Sequence, residues 1–304
     1  MYNLDIGVIV QLEDILKNGV ETIEKLGLNV CQLNCSNPDL YTEENAEKIK
    51  KVMDGKIKVS SLWAGWPLPA RWDFIDGPHT LGLVPVAYRA ERIHALKKGA
   101  DFAKMIGVHD ITTHVGFIPE NPTTTEYRET VIAIREVADY CKSLDIYFNF
   151  ETGQETPITL IRTIEDVGLD NLGINIDPAN LLMYGKANPV DAAGIYKDKI
   201  RGVHVKDGKY PTNGRELGDE TAIGEGMVDF PALIDKLHEN GYKGPLIIER
   251  EISGDQQGDR REVRARRVHA AAHRYRGGVD ELAVRIGQDQ ALQALRLHVR
   301  TGPP

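Results

Sequence analysis

Cysteine is scarce in this chain, with only Cys31, Cys35 and Cys141 in 304 residues. Cys31 and Cys35 are four apart on an apparent strand, hence about 13 Å apart at about 3.3 Å per residue, beyond disulfide reach. No CxxC pair occurs. A disulfide framework, a thiolate zinc site and a dithiol redox centre are thereby excluded, and the three thiols are expected as small buried hydrophobes. The sequence also lacks an apolar run long enough to span a bilayer, and it opens on a strand-like IGVIV with no basic leader before it. It therefore reads as cytoplasmic, without a membrane partner. Neither a GxxxxGK[ST] nor a GxGxxG phosphate loop is present.

Lysine is missing from one part of the chain only. Residues 1–257 hold 18 Lys, 9 Arg and 40 acids, a balance of −13, whereas residues 258–304 hold no Lys, 10 Arg and 5 acids, a balance of +5. The acidic body repels polyanions, which argues against a nucleic-acid partner. The last segment does not continue the body's pattern. It reads either as a basic extension that docks a partner or as foreign or out-of-frame sequence in place of a final helix, and the abrupt change in Lys/Arg usage favours the second. Residues 1–257 suit one barrel domain of about 250 residues, large enough to bury a core without staples.

Within those 257 residues, β-branched apolar runs alternate with helical patterns through eight cycles. Strands are expected near 4–10, 28–35, 57–64, 108–115, 145–151, 172–177, 201–206 and 245–250, with helical stretches such as NAEKIKKVM and FPALIDKLHENG between them. Gly27, Gly107 and Gly241 fall where helices should end, and Asp229 fits an N-cap before Pro231. Eight such units imply a parallel sheet closed into a single-domain (β/α)8 barrel. Parity agrees. Tyr147, Asn149 and Glu151 share one face of their strand, as do Gly173, Asn175 and Asp177, Gly202, His204 and Lys206, and Asp110, Thr112 and His114. The opposite faces are mostly apolar, as strands packed beneath helices require. Two long connections, from Trp63 to about Tyr88 and from Asp207 to Asp229, belong to the face where barrels carry their sites.

Four strands finish on a potential ligand: Glu151, Asp177, His204 and Glu249. Strand ends converge on one mouth in a barrel, so three carboxylates and an imidazole meet there. Without thiolates, that donor set suits Mn²⁺ or Co²⁺ best, with Mg²⁺ or Zn²⁺ as further options.

The segments FNFETGQE, INIDPANLLMYG, VHVKDG, GEGMVDFPAL and IIERE resemble the xylose isomerase-like TIM-barrel superfamily. The likeness is to its sugar phosphate isomerases/epimerases, which include the tagatose/psicose 3-epimerase and inositol-catabolism branches. It spans roughly residues 1–257 and is most specific over the last four strands. It implies that Glu151, Asp177, His204 and Glu249 bind one divalent metal and that Glu151 and Glu249 double as the acid/base pair. The implied enzyme is an isomerase or epimerase that removes a proton next to a carbonyl of a small sugar through a metal-stabilised enediolate. A lyase or dehydratase of a keto-sugar, keto-inositol or dehydroshikimate-like substrate is the alternative, since it begins with the same step. An apurinic endonuclease would need further His ligands, and a non-catalytic sugar-binding protein would leave the acid/base pair unused.

Around that centre, His114 faces inward and suits a substrate hydroxyl or a structural bond. Asn180 stands where the 3-epimerases resembled here carry a substrate-contacting His, so their substrate preference does not transfer. Lys206 suits an oxygen or an anion, Arg215 an anion, and Trp63 and Trp66 either a sugar face or loop anchoring. Glu120 and Glu155 are expected to stabilise loops. No apolar stripe marks an interface, so a homo-oligomer stays open.

Overall fold

In a computed structural model the protein is described over residues 4–251; the segment 258–304, with both readings of it, lies outside the described residues. Ten strands follow in chain order: β1 (Ile6–Gln11), β2 (Val30–Cys35), β3 (Lys58–Ala64), β4 (Asp110–Thr113), β5 (Tyr147–Glu151), β6 (Leu172–Ile176), β7 (Ile200–Val205), β8 (Asp207–Gly208), β9 (Glu220–Thr221) and β10 (Leu246–Ile248). Eight of them close a parallel barrel in the order β1-β10-β7-β6-β5-β4-β3-β2. The (β/α)8 expectation holds. The remaining two, β8 and β9, form an antiparallel ladder inside the connection that leads to the last barrel strand. Two-residue strands carry no period, so the sequence showed only a loop there.

The helices are α1 (Leu12–Asn18), α2 (Glu21–Glu24), α3 (Glu43–Met53), α4 (Gly77–Thr80), α5 (Val86–Met105), α6 (Thr125–Ser143), α7 (Pro157–Val167), α8 (Pro178–Met183), α9 (Pro189–Tyr196) and α10 (Phe230–Glu239). Side-chain caps start most of the long ones. Thr42, Thr124, Thr156 and Asp229 each accept a backbone N–H three residues on, and proline occupies the first turn of α7 and α10. None of the described helices is long and apolar enough to cross a membrane. All three cysteines are buried and free.

Strand parity sorts the interior as expected. Phe148, Phe150, Ile174 and Ile176 enter the core beneath the helices, while Asn149, Asn175 and His204 are buried on the inner face. Inner-face glycine is required by space. A Cβ on Gly173 would stand 2.3 Å from Asn149 Oδ1, and one on Gly202 2.1 Å from Asn175 Oδ1. Nearer the strand starts, Arg201 bonds Asp110 through Nε at 2.6 Å and Nη2 at 3.0 Å, and Asn149 donates to the same carboxylate at 2.9 Å. This paired fork plugs the end of the barrel away from the mouth.

The connection after β3 is long, and a single buried cation organises it. Arg92 of α5 is fully buried and donates to the carbonyls of Gly82 (2.7 Å), Pro69 (2.6 Å) and Thr80 (2.8 Å). Its guanidinium also lies 5.4 Å from the Trp66 ring centroid and 4.9 Å from that of Tyr88. Replacing it with an apolar side chain leaves three carbonyls without their donor. Arg92→Met should therefore lose about 2–4 kcal/mol of stability, measured as a lower denaturant midpoint at constant slope. A loss below about 0.5 kcal/mol, within the range of ordinary surface changes, would show that the loop holds itself.

Candidate metal centre

The four strand-end residues meet. Ligand atoms of Glu151, Asp177, His204 and Glu249 all lie within 4.8 Å of one another, and all four side chains are buried. His204 Nδ1 is the hub, at 3.1 Å from Glu151 Oε1, 3.5 Å from Asp177 Oδ2 and 3.0 Å from Glu249 Oε2. Glu151 and His204 lie within their strands, whereas Asp177 and Glu249 stand one residue beyond β6 and β10. Glu249 is the most accessible of the four at 8%, against 2% or less for the others.

Local structure fixes each ligand. Asp177 is the N-cap of α8, with Pro178 next; its Oδ1 accepts the Asn180 N–H at 2.8 Å, which leaves Oδ2 for the cluster. Thr152 Oγ1 accepts the Asp177 N–H at 2.8 Å and donates to the Asp177 carbonyl at 3.1 Å, tying the ends of β5 and β6. Glu151 Oε2 accepts from the Trp63 indole N–H. His204 Nε2 meets Gln32 Oε1 at 2.7 Å.

The electrostatics centre on two cationic groups among the carboxylates. Burial opposes charge on Glu151, yet the imidazoles of His114 and His204 outweigh it and hold its carboxyl below the usual range. Burial likewise opposes charge on Asp177 and Glu249, where Lys206 and His204 win and lower both. Burial would discharge Lys206 and His204, but the surrounding carboxylates keep both charged, well above their usual ranges. Lys206 Nζ lies 3.3 Å from Glu249 Oε2, 3.7 Å from Asp177 Oδ2 and 3.4 Å from Asn180 Oδ1, and also contacts Glu251.

The donor set fits a divalent cation. Asp177 Oδ2 and His204 Nδ1 are buried and make ion-pair contacts but no hydrogen bond of good geometry, an arrangement that a cation between them would satisfy better. Three carboxylate oxygens and one imidazole nitrogen, without sulfur, match Mn²⁺, Co²⁺ or Mg²⁺ chemistry.

Other expected residues divide into those brought to the mouth and those left outside it. His114 Nε2 is 3.6 Å from Glu151 Oε1, and its buried Nδ1 has no partner among the described residues. Asn180 is buried against Lys206. Trp66 packs one layer back, between Trp63 (6.0 Å between centroids) and Trp72 (6.3 Å), beneath Arg92. The half-exposed Trp72, not singled out in the sequence, stands edge-on to His114 at 5.0 Å. Arg215 is exposed in the loop after β8; its backbone N–H bonds Asn213 at 2.9 Å, and no described side-chain contact draws it to the cluster. The Glu120 backbone carbonyl accepts from Arg162 at 2.7 Å.

Sequence reasoning missed Asp207. Its carboxylate accepts four backbone N–H groups, from Gly208 (2.8 Å), Gly224 (2.8 Å), Gly226 (3.0 Å) and Val228 (3.1 Å). It thereby folds GEGMV against β8, and a Cβ on Gly226 would fall 2.0 Å from Asp207 Oδ1.

Comparison with known proteins identifies the family of the fold. Residues 17–270 match the family described as Xylose isomerase-like TIM barrel. A xylose isomerase domain protein from Planctomyces limnophilus superposes with a TM-score of 0.80 at 32% identity, over 90% of this chain and 97% of that one. A D-psicose 3-epimerase structure shares the fold with a TM-score of 0.63 at 16% identity, over 98% and 100% of the two chains. The inosose dehydratase of Geobacillus kaustophilus is 28% identical over 151 residues, which is 42% of this chain and 47% of that protein. The chain thus spans about half the length of the curated relatives it matches.

Glu155, four residues beyond Glu151, offers a pH test. Burial pushes its carboxyl up to about 8, against the partial opposition of backbone N–H groups and Lys186. The folded protein therefore keeps this proton between about 4.5, the unfolded value, and about 8, where the unfolded chain has lost it. The resulting stability is present below pH 4.5 and drains away as pH rises through that window. Glu155→Gln should flatten the fall in thermal midpoint across the window. Parallel profiles for the two proteins would mean that the folded carboxyl is already ionised.

Proposed function

The chain belongs to the xylose isomerase-like TIM-barrel family, and from that premise we propose that it is a divalent-metal-dependent isomerase or epimerase of a small keto-sugar. One observation carries this reading: four ligand atoms within 4.8 Å, buried at the barrel mouth with the His204 nitrogen among three carboxylates. Glu151, Asp177, His204 and Glu249 would hold the ion, with Mn²⁺ or Co²⁺ the best match. When bound, such a cation supplies positive charge to a carbonyl and its neighbouring hydroxyl, which acidifies the carbon-bound proton between them.

The chain's own residues supply the proton chemistry. Glu151 and Glu249 come from β5 and β10, with β6 and β7 between them, and so flank the centre from two sides. The carboxylate that is ionised removes the proton, and the other, having first taken up a proton from solvent, gives that proton to the opposite face, which inverts the carbon. Return of the removed proton to the adjacent carbon instead gives aldose–ketose isomerisation. Trp63 restrains Glu151 through Oε2, and Lys206 holds Glu249 in its ionised form. His114 and Asn180 bind substrate hydroxyls, and Lys206 faces the oxygen that gains charge. Arg215 and Trp66 are assigned at most to the outer edge of the substrate site.

A second reading has its own support, since the curated relatives include inosose dehydratases. A dehydratase removes the same proton and then expels a β-hydroxyl, so its product is lighter by one water. Neither reading calls for a nucleic acid or a membrane, and both fit a cytoplasmic enzyme.

Chelation should abolish turnover and Mn²⁺ or Co²⁺ should restore it; full activity in the chelated protein would end the metal assignment. Glu249→Gln should slow exchange of the carbon-bound proton with deuterated water by about 10²–10⁴-fold, followed by NMR on a panel of keto-sugars and keto-inositols. Exchange at the wild-type rate would remove Glu249 from the acid/base pair.

A further inference from the structure

Gln32 has no titratable group and lies on β2, which is separated from β7 by β1 and β10 along the shorter way round the barrel. Its side chain nevertheless crosses the barrel interior, and its Oε1 meets His204 Nε2 at 2.7 Å. Its amide nitrogen donates to Ser61 Oγ on β3 at 2.7 Å. Gln32 is 1% exposed, Ser61 8% and His204 0%. The pairing of β2 with β3 shifts between Cys31 and Leu33, whose partners are Val59 and Leu62. Two residues of β3, Ser60 and Ser61, therefore face the single residue Gln32. Such a bulge re-aims one side chain. Here Ser60 turns back to the Cys31 carbonyl at 3.0 Å, and Ser61 meets the Gln32 amide.

We propose that Gln32 is a positioning residue that fixes the tautomer and ring orientation of His204, presenting Nδ1 as the lone pair that takes the cation. Imidazole carries one N–H when neutral, and the partner of one nitrogen decides where that proton sits. The Gln32 carbonyl oxygen accepts, so Nε2 keeps its proton, and the proton that leaves when a cation enters is the one on Nδ1, facing the three carboxylates. The reversed amide would present N–H groups to Nε2, so that nitrogen would give up its proton first and Nδ1 would keep the one a cation has to displace. Ser61 holds the amide by its far end, so β3, β2 and β7 form one relay behind the ligand. Outer partners of this kind are worth about 10- to 100-fold in metal affinity. The inference rests on the metal centre described above.

The experiment is titration calorimetry with Co²⁺ alone, paired with long-range ¹⁵N–¹H NMR of the imidazoles in Zn²⁺-loaded protein. Gln32→Met keeps the side-chain length but not the carbonyl acceptor. It should weaken Co²⁺ binding about 10- to 100-fold and change the His204 Nε2–H signal. Gln32→Glu keeps an acceptor and should bind Co²⁺ at least as tightly as wild type, with the Nε2–H signal present. Wild-type affinity in Gln32→Met, or equal weakening in both variants, overturns the proposal, because Gln32 would then only fill space. Should Gln32→Met not fold, Ser61→Ala removes the far anchor: a several-fold loss of affinity supports the relay and none overturns it. If wild-type protein itself binds no Co²⁺, the metal centre falls and this role with it; if only the variants fail to differ, the metal centre stands.

Discussion

Like charges brought together out of water are the constraint on which this structure depends. Three carboxylates stand within 4.8 Å of one another around one imidazole nitrogen, at positions 8% exposed or less. Left to themselves they would take up protons, since burial raises every one of them. They stay ionised because Lys206 and His204 are buried among them, while the ends of β5, β6, β7 and β10 bring the carboxylates to one place. Breaking one member of such a set costs more than the set is worth as a stabilising feature. The cluster therefore makes sense as a function maintained by the fold, with the fold's stability drawn from the apolar layer outside the barrel.

The rest of the molecule shows the same economy of single ions holding irregular backbone. Arg92 gathers three carbonyls of the connection after β3, and Asp207 gathers four amides of the connection before α10. The first connection has no ladder and the second only the two-residue pairing of β8 with β9, so a buried side chain of opposite polarity satisfies backbone groups that remain. Both connections border the mouth. The first delivers Trp72 beside His114, and Phe74 beside Tyr184 at 6.1 Å between centroids. The second begins one residue after Lys206.

Much of this was legible in the sequence, for a definite reason. A strand has period two and barrel strands end at one mouth, so parity and strand ends placed Glu151, Asp177, His204 and Glu249 together before any coordinates. Gln32 obeys the same parity, between Val30 and Asn34, but a neutral amide on a short strand gives no chemical signal. Ser61 was beyond parity, because the bulge in β3 changes the count on which parity depends. Arg92 was hidden among the basic residues of RAERIHALKK, which resemble a solvated helix face. Asp207 was hidden as well: its partners are amides of residues 208–228, and no spacing rule describes a carboxylate wrapped by a loop.

On the reading proposed above, an ionic centre of this kind would serve isomerisation, epimerisation and dehydration alike, so it does not distinguish them. What distinguishes them is the fate of charge and protons after the first transfer, which the groups around the rim decide. A dehydratase needs a proton donor within reach of the departing hydroxyl, whereas an epimerase needs that hydroxyl held and the opposite face of the carbon open to a carboxylic acid. Four rim groups in this chain can take up those roles: His114 with its unpartnered Nδ1, Asn180 beside Lys206, Lys206 itself, and Trp72 at the edge. An imidazole can donate where an amide can only hold. On the reading proposed above, His114, with Nε2 3.6 Å from Glu151 Oε1, is thus the rim group placed to act on a departing hydroxyl.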